Sequence, residues 1–112
     1  MMNTLKNNVR LLGHVGTEPN LLNLENKSIM TKVPLATNER YKDADGEIVQ
    51  DTQWHTLVFF GKLAQYVAEY LKKGSEIAVE GRLKNRSYED KNGVTRYVTE
   101  VIVNNVMFIK SK

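Results

Sequence analysis

Apolar and polar positions alternate with a period of two over five stretches, the signature of half-buried β-strands. From Asn8 to Val15, Val9, Leu11, Gly13 and Val15 share one face, and Arg10, Leu12 and His14 the other. Gly13 and Gly16 mark a kink and an exit, and Glu18-Pro19-Asn20 reads as a turn. A short segment around Leu21–Leu24 leads through the turn-like Glu25-Asn26-Lys27 into a second strand, Ser28–Thr37. There Ile29, Thr31, Val33 and Leu35 oppose Met30, Lys32, Pro34 and Ala36. Pro34 donates no ladder hydrogen bond, so this strand is expected at an edge or bulged. From Asn38 to Asp51 the residues turn polar, and a long mobile hairpin loop is expected, with Asp45-Gly46 at its tip and Tyr41 exposed between Arg40 and Lys42.

The third strand, Thr52–Lys62, is apolar on both faces. Trp54, Thr56, Val58 and Phe60 lie on one, and His55, Leu57, Phe59 and Gly61 on the other. Either it is buried on both sides or one side is an aromatic platform left open for a ligand. Trp54 and Phe60, six residues apart, would stand ~20 Å apart along it. Beyond Gly61, Leu63, Tyr66, Val67, Tyr70 and Leu71 recur at i, i+3, i+4, i+7 and i+8, which predicts a helix whose tyrosines join the core. Lys72 and Lys73 suit its negative C-terminal end, and Gly74 the residue just past it.

The fourth strand, Glu76–Arg86, sets Ile77, Val79, Gly81 and Leu83 against Glu80, Arg82, Lys84 and Arg86, with Gly81 as the corner of a small barrel. Asn92-Gly93 is a hairpin signal that joins it to a fifth strand, Arg96–Ile109. Three strands, one helix and a long two-stranded hairpin form the pattern of an all-β, five-stranded OB-fold barrel, with its helix between strands three and four. Fold alone does not give function.

The 112 residues make one domain, 1–112, large enough for a core without staples. No cysteine is present, which excludes disulfides, thiolate catalysis and cysteine-held metals. MMNTLKNNVR lacks an apolar signal region, and no run reaches membrane-spanning length, so a cytoplasmic place is expected. The net charge is +3, but it is uneven: from Arg82 onward there are seven Lys/Arg against three acids. That is how a nucleic-acid footprint looks, although a well-solvated hairpin would look the same.

Several separated strings together resemble the bacterial single-stranded-DNA-binding protein family. They are Val9-Arg10-Leu11-Leu12-Gly13 with Gly16 and Pro19, Leu35-Ala36-Thr37, Trp54-His55, Phe60-Gly61-Lys62-Leu63-Ala64, Glu69-Tyr70-Leu71 with Lys73-Gly74-Ser75, Glu80-Gly81-Arg82-Leu83, and Arg96-Tyr97 with Thr99-Glu100-Val101. The resemblance covers nearly the whole chain. It implies sequence-independent binding of single-stranded DNA in replication, recombination and repair, a nucleoid-associated location, no enzymatic activity and no cofactor. Its base-stacking positions fall on Trp54, Phe60, Tyr41 and Tyr88. The family often has tryptophan at the positions of Tyr41 and Tyr88, so somewhat weaker stacking is expected there. Its basic positions fall on Lys62, Lys73, Lys84 and Arg86, and parity adds Arg82. Thr56 and Ser87 stand where some relatives are basic, which thins the charge.

The resemblance also implies a homotetramer with His55 at a subunit interface. Relatives continue through a Gly/Gln/Pro-rich linker to an acidic tip that recruits replication and repair proteins. The stretch here closes on Ile109-Lys110-Ser111-Lys112, so recruitment through such a tip is not expected of it. Two other classes compete. A barrel serving only as a protein-interaction module would have lost its stacking aromatics, and all four are kept. A metal-dependent nuclease would need Asp43, Asp45, Glu47 and Asp51 held rigidly, whereas they fall in the expected loop. With His14 and His55 the only histidines, a metal site is not expected.

Overall fold

The computed structural model describes residues 5–24 and 28–110; the expected turn at Glu25-Asn26-Lys27 lies outside them, as do Ser111 and Lys112. The elements run β1 (Val9–Val15), β2 (Leu22–Asn23), β3 (Ile29–Lys42), β4 (Ile48–Phe60), α1 (Gly61–Tyr70), β5 (Glu76–Glu89) and β6 (Thr95–Lys110). The sheet order is β1-β5-β6-β4-β3-β2, and β3 pairs back onto β1 at His14↔Ala36 and Val15↔Leu35. Five strands thereby close into the expected OB-fold barrel, and β2 adds a two-residue pairing to the edge of β3. The helix follows the third barrel strand, as expected. Among the described residues, only β4 and β6 pair in parallel, from Thr56↔Glu100 to Val58↔Ile102.

Closure depends on backbones passing closely at two glycines. A Cβ on Gly13 would run into the Ala36 carbonyl, and one on Gly81 into the Ile102 carbonyl. The ladder between β5 and β6 shifts register beside Gly81, so the corner combines a bulge with a missing side chain. Pro34 is seated where its missing N–H costs no ladder bond to β4. Its carbonyl accepts from Gly16 N–H at 2.9 Å on the other side, between the β1 and β2 pairings. The core holds the alternating set expected from the pattern, Val33, Leu35, Leu57, Phe59, Ile77 and Val79, together with Val101 and Val103 of β6, and is capped by Ala64, Val67 and Leu71 of the helix region.

Three expectations need correction. The helix packs on the stripe Ala64, Val67 and Leu71, and Tyr66 and Tyr70 are about half exposed on its flank. A small alanine brings the helix axis close to the barrel, which leaves the larger rings to pack beside it: Tyr66 lies 5.1 Å from Tyr70 and 5.5 Å from Phe108, centroid to centroid. Gly74 is not the residue past the helix end. The helix stops at Tyr70, Leu71 N–H closes the last turn onto Val67, and Gly74 (φ +89°) shapes the following Lys72–Ser75 turn. Finally, Asn38–Asp51 is not a long loop. β3 and β4 stay paired without a break to Lys42↔Ile48, so the loop shrinks to 43–47.

Candidate nucleic-acid interface

The outer face of the barrel is set by the parity of β4. Leu57 and Phe59 point inward and are fully buried, whereas Trp54 (62 % exposed) and Phe60 (46 %) stand on the opposite face. One side of this strand is core and the other is an open aromatic surface. Trp54 is opposite Ala36, and its ring lies against Gly16, where a Cβ would meet the indole. Phe60 is opposite Met30 at the far end.

Tyr88 joins this face from β5, which runs on to Glu89, past the strand end expected at Arg86. A hollow between Tyr88 and Thr56 is floored by Arg86, Glu100 and Val98, and a neighbouring one runs from Phe60 over Val58 to Lys84 and Ile102. Trp54, Phe60 and Tyr88 are therefore brought onto one face. Tyr41 is not brought there by register. It is paired with Val49, five residues beyond Ala36, and that odd offset gives it the opposite parity on the outer part of the β3–β4 ribbon.

The cations divide in the same way. Lys84 and Arg82 lie on the Phe60 face, opposite Glu100 and Ile102 of β6. Lys62, in the first turn of α1, lines a hollow with Phe60, Ser28 and Gln65. Lys73 is exposed in the turn whose Gly74 N–H bonds to the Val15 carbonyl, next to the Gly16 that supports Trp54. His55, half-buried beneath β4, has Nε2 at 2.9 Å from the Thr37 hydroxyl.

Two groups on this face were overlooked in the sequence. Glu100 is only 6 % exposed, and it faces outward between the two hollows. Arg86 grips it with two bonds, Nε–Oε1 at 3.0 Å and an Nη at 3.2 Å from Oε2, and Lys32 Nζ reaches Oε2 at 3.0 Å. Lys32 comes from β3, so its stem crosses β4 beside Thr56. The hydrogen bonds from Arg86 hold the Glu100 carboxyl below the ordinary glutamate range, with Lys32 adding to them, despite partial desolvation. The Arg86 guanidinium is 5.8 Å from the Tyr88 ring centroid. A lone carboxylate inside the β-branched run Val98–Val103 is the signal that could have disclosed this cluster, since buried charges are paired.

The model of the single-strand binding protein family matches residues 6–109. The chain belongs to that family. Among solved structures, it is similar to one described as Plasmodium falciparum SSB complex with ssDNA, with a TM-score of 0.86 and 28 % identity over 98 % of this chain and 100 % of that one. Among the described residues, no three His, Cys, Asp or Glu are grouped as metal ligands, and no helix is long and apolar enough to cross a membrane.

Proposed function

We propose that this chain binds single-stranded DNA without regard to sequence, as a non-catalytic member of the single-strand binding family working in replication, recombination and repair. The observation that carries the reading is the set of three half-exposed rings, Trp54, Phe60 and Tyr88, on one face beside cationic β5. Bases stack on these rings because every base has a π-face, which needs no particular hydrogen-bonding pattern. Tyr41 adds a lesser stacking position on the β3–β4 ribbon. Lys62, Lys84, Arg82 and Lys73 meet phosphates and release counterions. Arg86 belongs to the same basic set but is already paired with Glu100.

His55 and the outer face of β1 are proposed to lie at contacts between copies of the chain in a homotetramer. The test is competition: a labelled dT oligomer should be displaced by unlabelled single strands of any sequence and not by duplex of the same length. Displacement by duplex at equal concentration would overturn the reading.

A further inference from the structure

Arg86 and Lys32 look like phosphate ligands by charge and place, but the geometry gives them another task. Glu100 is buried, takes both oxygens' worth of hydrogen bonds from these two cations, and stands between the hollow beside Tyr88 and the hollow beside Phe60. Glu100 takes the Nε–H and one Nη–H of Arg86, so a phosphate is left the remaining N–H groups of a guanidinium whose charge the carboxylate already offsets. A phosphate that took the engaged N–H groups instead would leave a largely buried carboxylate with fewer partners, which costs more than an exposed phosphate contact returns. Among the described residues, Lys84, directly opposite Glu100 on β5, has no such partner and stays exposed.

We propose that Glu100 is a built-in counterion that removes Arg86 and Lys32 from phosphate binding and turns them into positioning residues. Arg86 is held with its guanidinium carbon 5.8 Å from the Tyr88 ring centroid, where its charge supports the ring that a base stacks on. Lys32 is drawn across β4 over Thr56, so the ridge Lys32–Glu100–Arg86 separates the two hollows. A base on Phe60 and a base on Tyr88 are thereby kept apart, and the strand between them crosses the ridge. This rests on the single-strand binding proposed above.

The experiment is the salt dependence of dT-oligomer binding by the full chain and four variants, with folding checked by circular dichroism. Lys84→Gln should flatten the log–log slope by about 0.7, the value for one phosphate contact. Arg86→Gln should weaken binding about 2- to 5-fold, the loss of a cation near an aromatic ring, with the slope unchanged. Lys32→Gln should likewise leave the slope unchanged. Glu100→Gln should steepen it by about 0.7 for each cation set free to reach a phosphate. Arg86 is at the surface, and its loss leaves Glu100 paired with Lys32, so that variant keeps the test open even if Glu100→Gln does not fold. A slope flattened by Arg86→Gln as much as by Lys84→Gln would overturn the inference while leaving single-strand binding intact. Unaltered slope in a folded Glu100→Gln protein would overturn it too. Absence of binding by the unsubstituted chain would instead remove the function and this inference together.

Discussion

Two β-ribbons leave the barrel, β3–β4 and β5–β6, and they share one design. Each closes on a five-residue turn, 43–47 and 90–94, that begins with an aspartate and has a glycine three residues later. Asp43 Oδ1 accepts from the N–H groups of Asp45 and Glu47, and Asp90 Oδ1 from those of Asn92 and Val94, all between 2.9 and 3.0 Å. Gly46 and Gly93 adopt φ of +79° and +77°. Each ribbon also carries a threonine-to-asparagine bond across its strands, Thr52 to Asn38 at 2.6 Å and Thr99 to Asn85 at 2.7 Å.

The ribbons differ in charge and in what backs their rings. Residues 38–52 hold five acids against two bases, and residues 82–99 five bases against two acids. Tyr41 and Tyr88 are similarly exposed, at 53 % and 46 %. Only Tyr88 has the parity of Trp54 and Phe60 and a guanidinium behind it. An aspartate and a glycine at the right spacing build an arm whatever the arm does. On the function proposed above, the β5–β6 ribbon is the one whose charge and parity suit the polyanion, and the β3–β4 ribbon is acidic.

The sharpest way to break this contrast is to remove charge from one ribbon at a time. Arg82→Gln with Lys84→Gln should weaken binding to a dT oligomer about 25-fold at 0.1 M salt and flatten the slope by about 1.4. Asp45→Asn with Glu47→Gln should tighten it only a few-fold at low salt, and the effect should vanish above about 0.5 M as screening sets in. Equal and opposite effects would mean that both ribbons line the path of the strand. The rings come next. Tyr88→Ala should cost about 1–2 kcal/mol of binding, within the range for a stacked base, and Tyr41→Ala less than half of that, both read by titration.

The two turns can also be compared through stability. Asp90→Ala should lower the urea unfolding midpoint more than Asp43→Ala does, because two turn N–H groups lose their acceptor and Arg96 also loses its partner at 2.9 Å. Asp43→Ala, which loses only the turn bonds, should cost about 1 kcal/mol. Acid should act in the same sense. The Asp90 carboxyl is held below its ordinary value chiefly by the Arg96 hydrogen bond, and that of Glu100 chiefly by Arg86. Their stabilisation is therefore complete above the unfolded values, about 3.9 and 4.3, and is lost as pH falls through the lower folded ones. Glu100→Gln should flatten that acid limb in a plot of urea midpoint against pH.

Periodicity disclosed the barrel because its strands bury one face, so Leu35, Leu57, Phe59, Ile77 and Val79 announced themselves by alternation. The outer ribbon of β3–β4 did not, since a two-stranded ribbon wet on both faces has no apolar face to alternate with. Asn38–Asp51 therefore read as a loop although every residue to Lys42 is paired. Tyr66 and Tyr70 misled for the opposite reason: they sit at core spacing, but Ala64 brought the helix too close to the barrel for rings to fit beneath it. Trp54, Phe60, Lys84 and Arg82 were placed by parity alone, and the structure sets them on one face. The bond of Arg86 to Glu100 could not be placed that way. It runs diagonally between strands whose register shifts at Gly81, and Lys32 arrives from two strands away.

The central claim is that the Trp54 face receives single-stranded DNA. Its most direct test is the emission of Trp54, the only tryptophan, during titration with poly-dT at several salt concentrations. Emission should be quenched as bases stack on the indole, with an affinity that falls as salt rises, by about 0.7 log units per tenfold change for each phosphate neutralised. Emission unchanged by single strands at low salt, with the protein folded and in excess of any plausible dissociation constant, would contradict it.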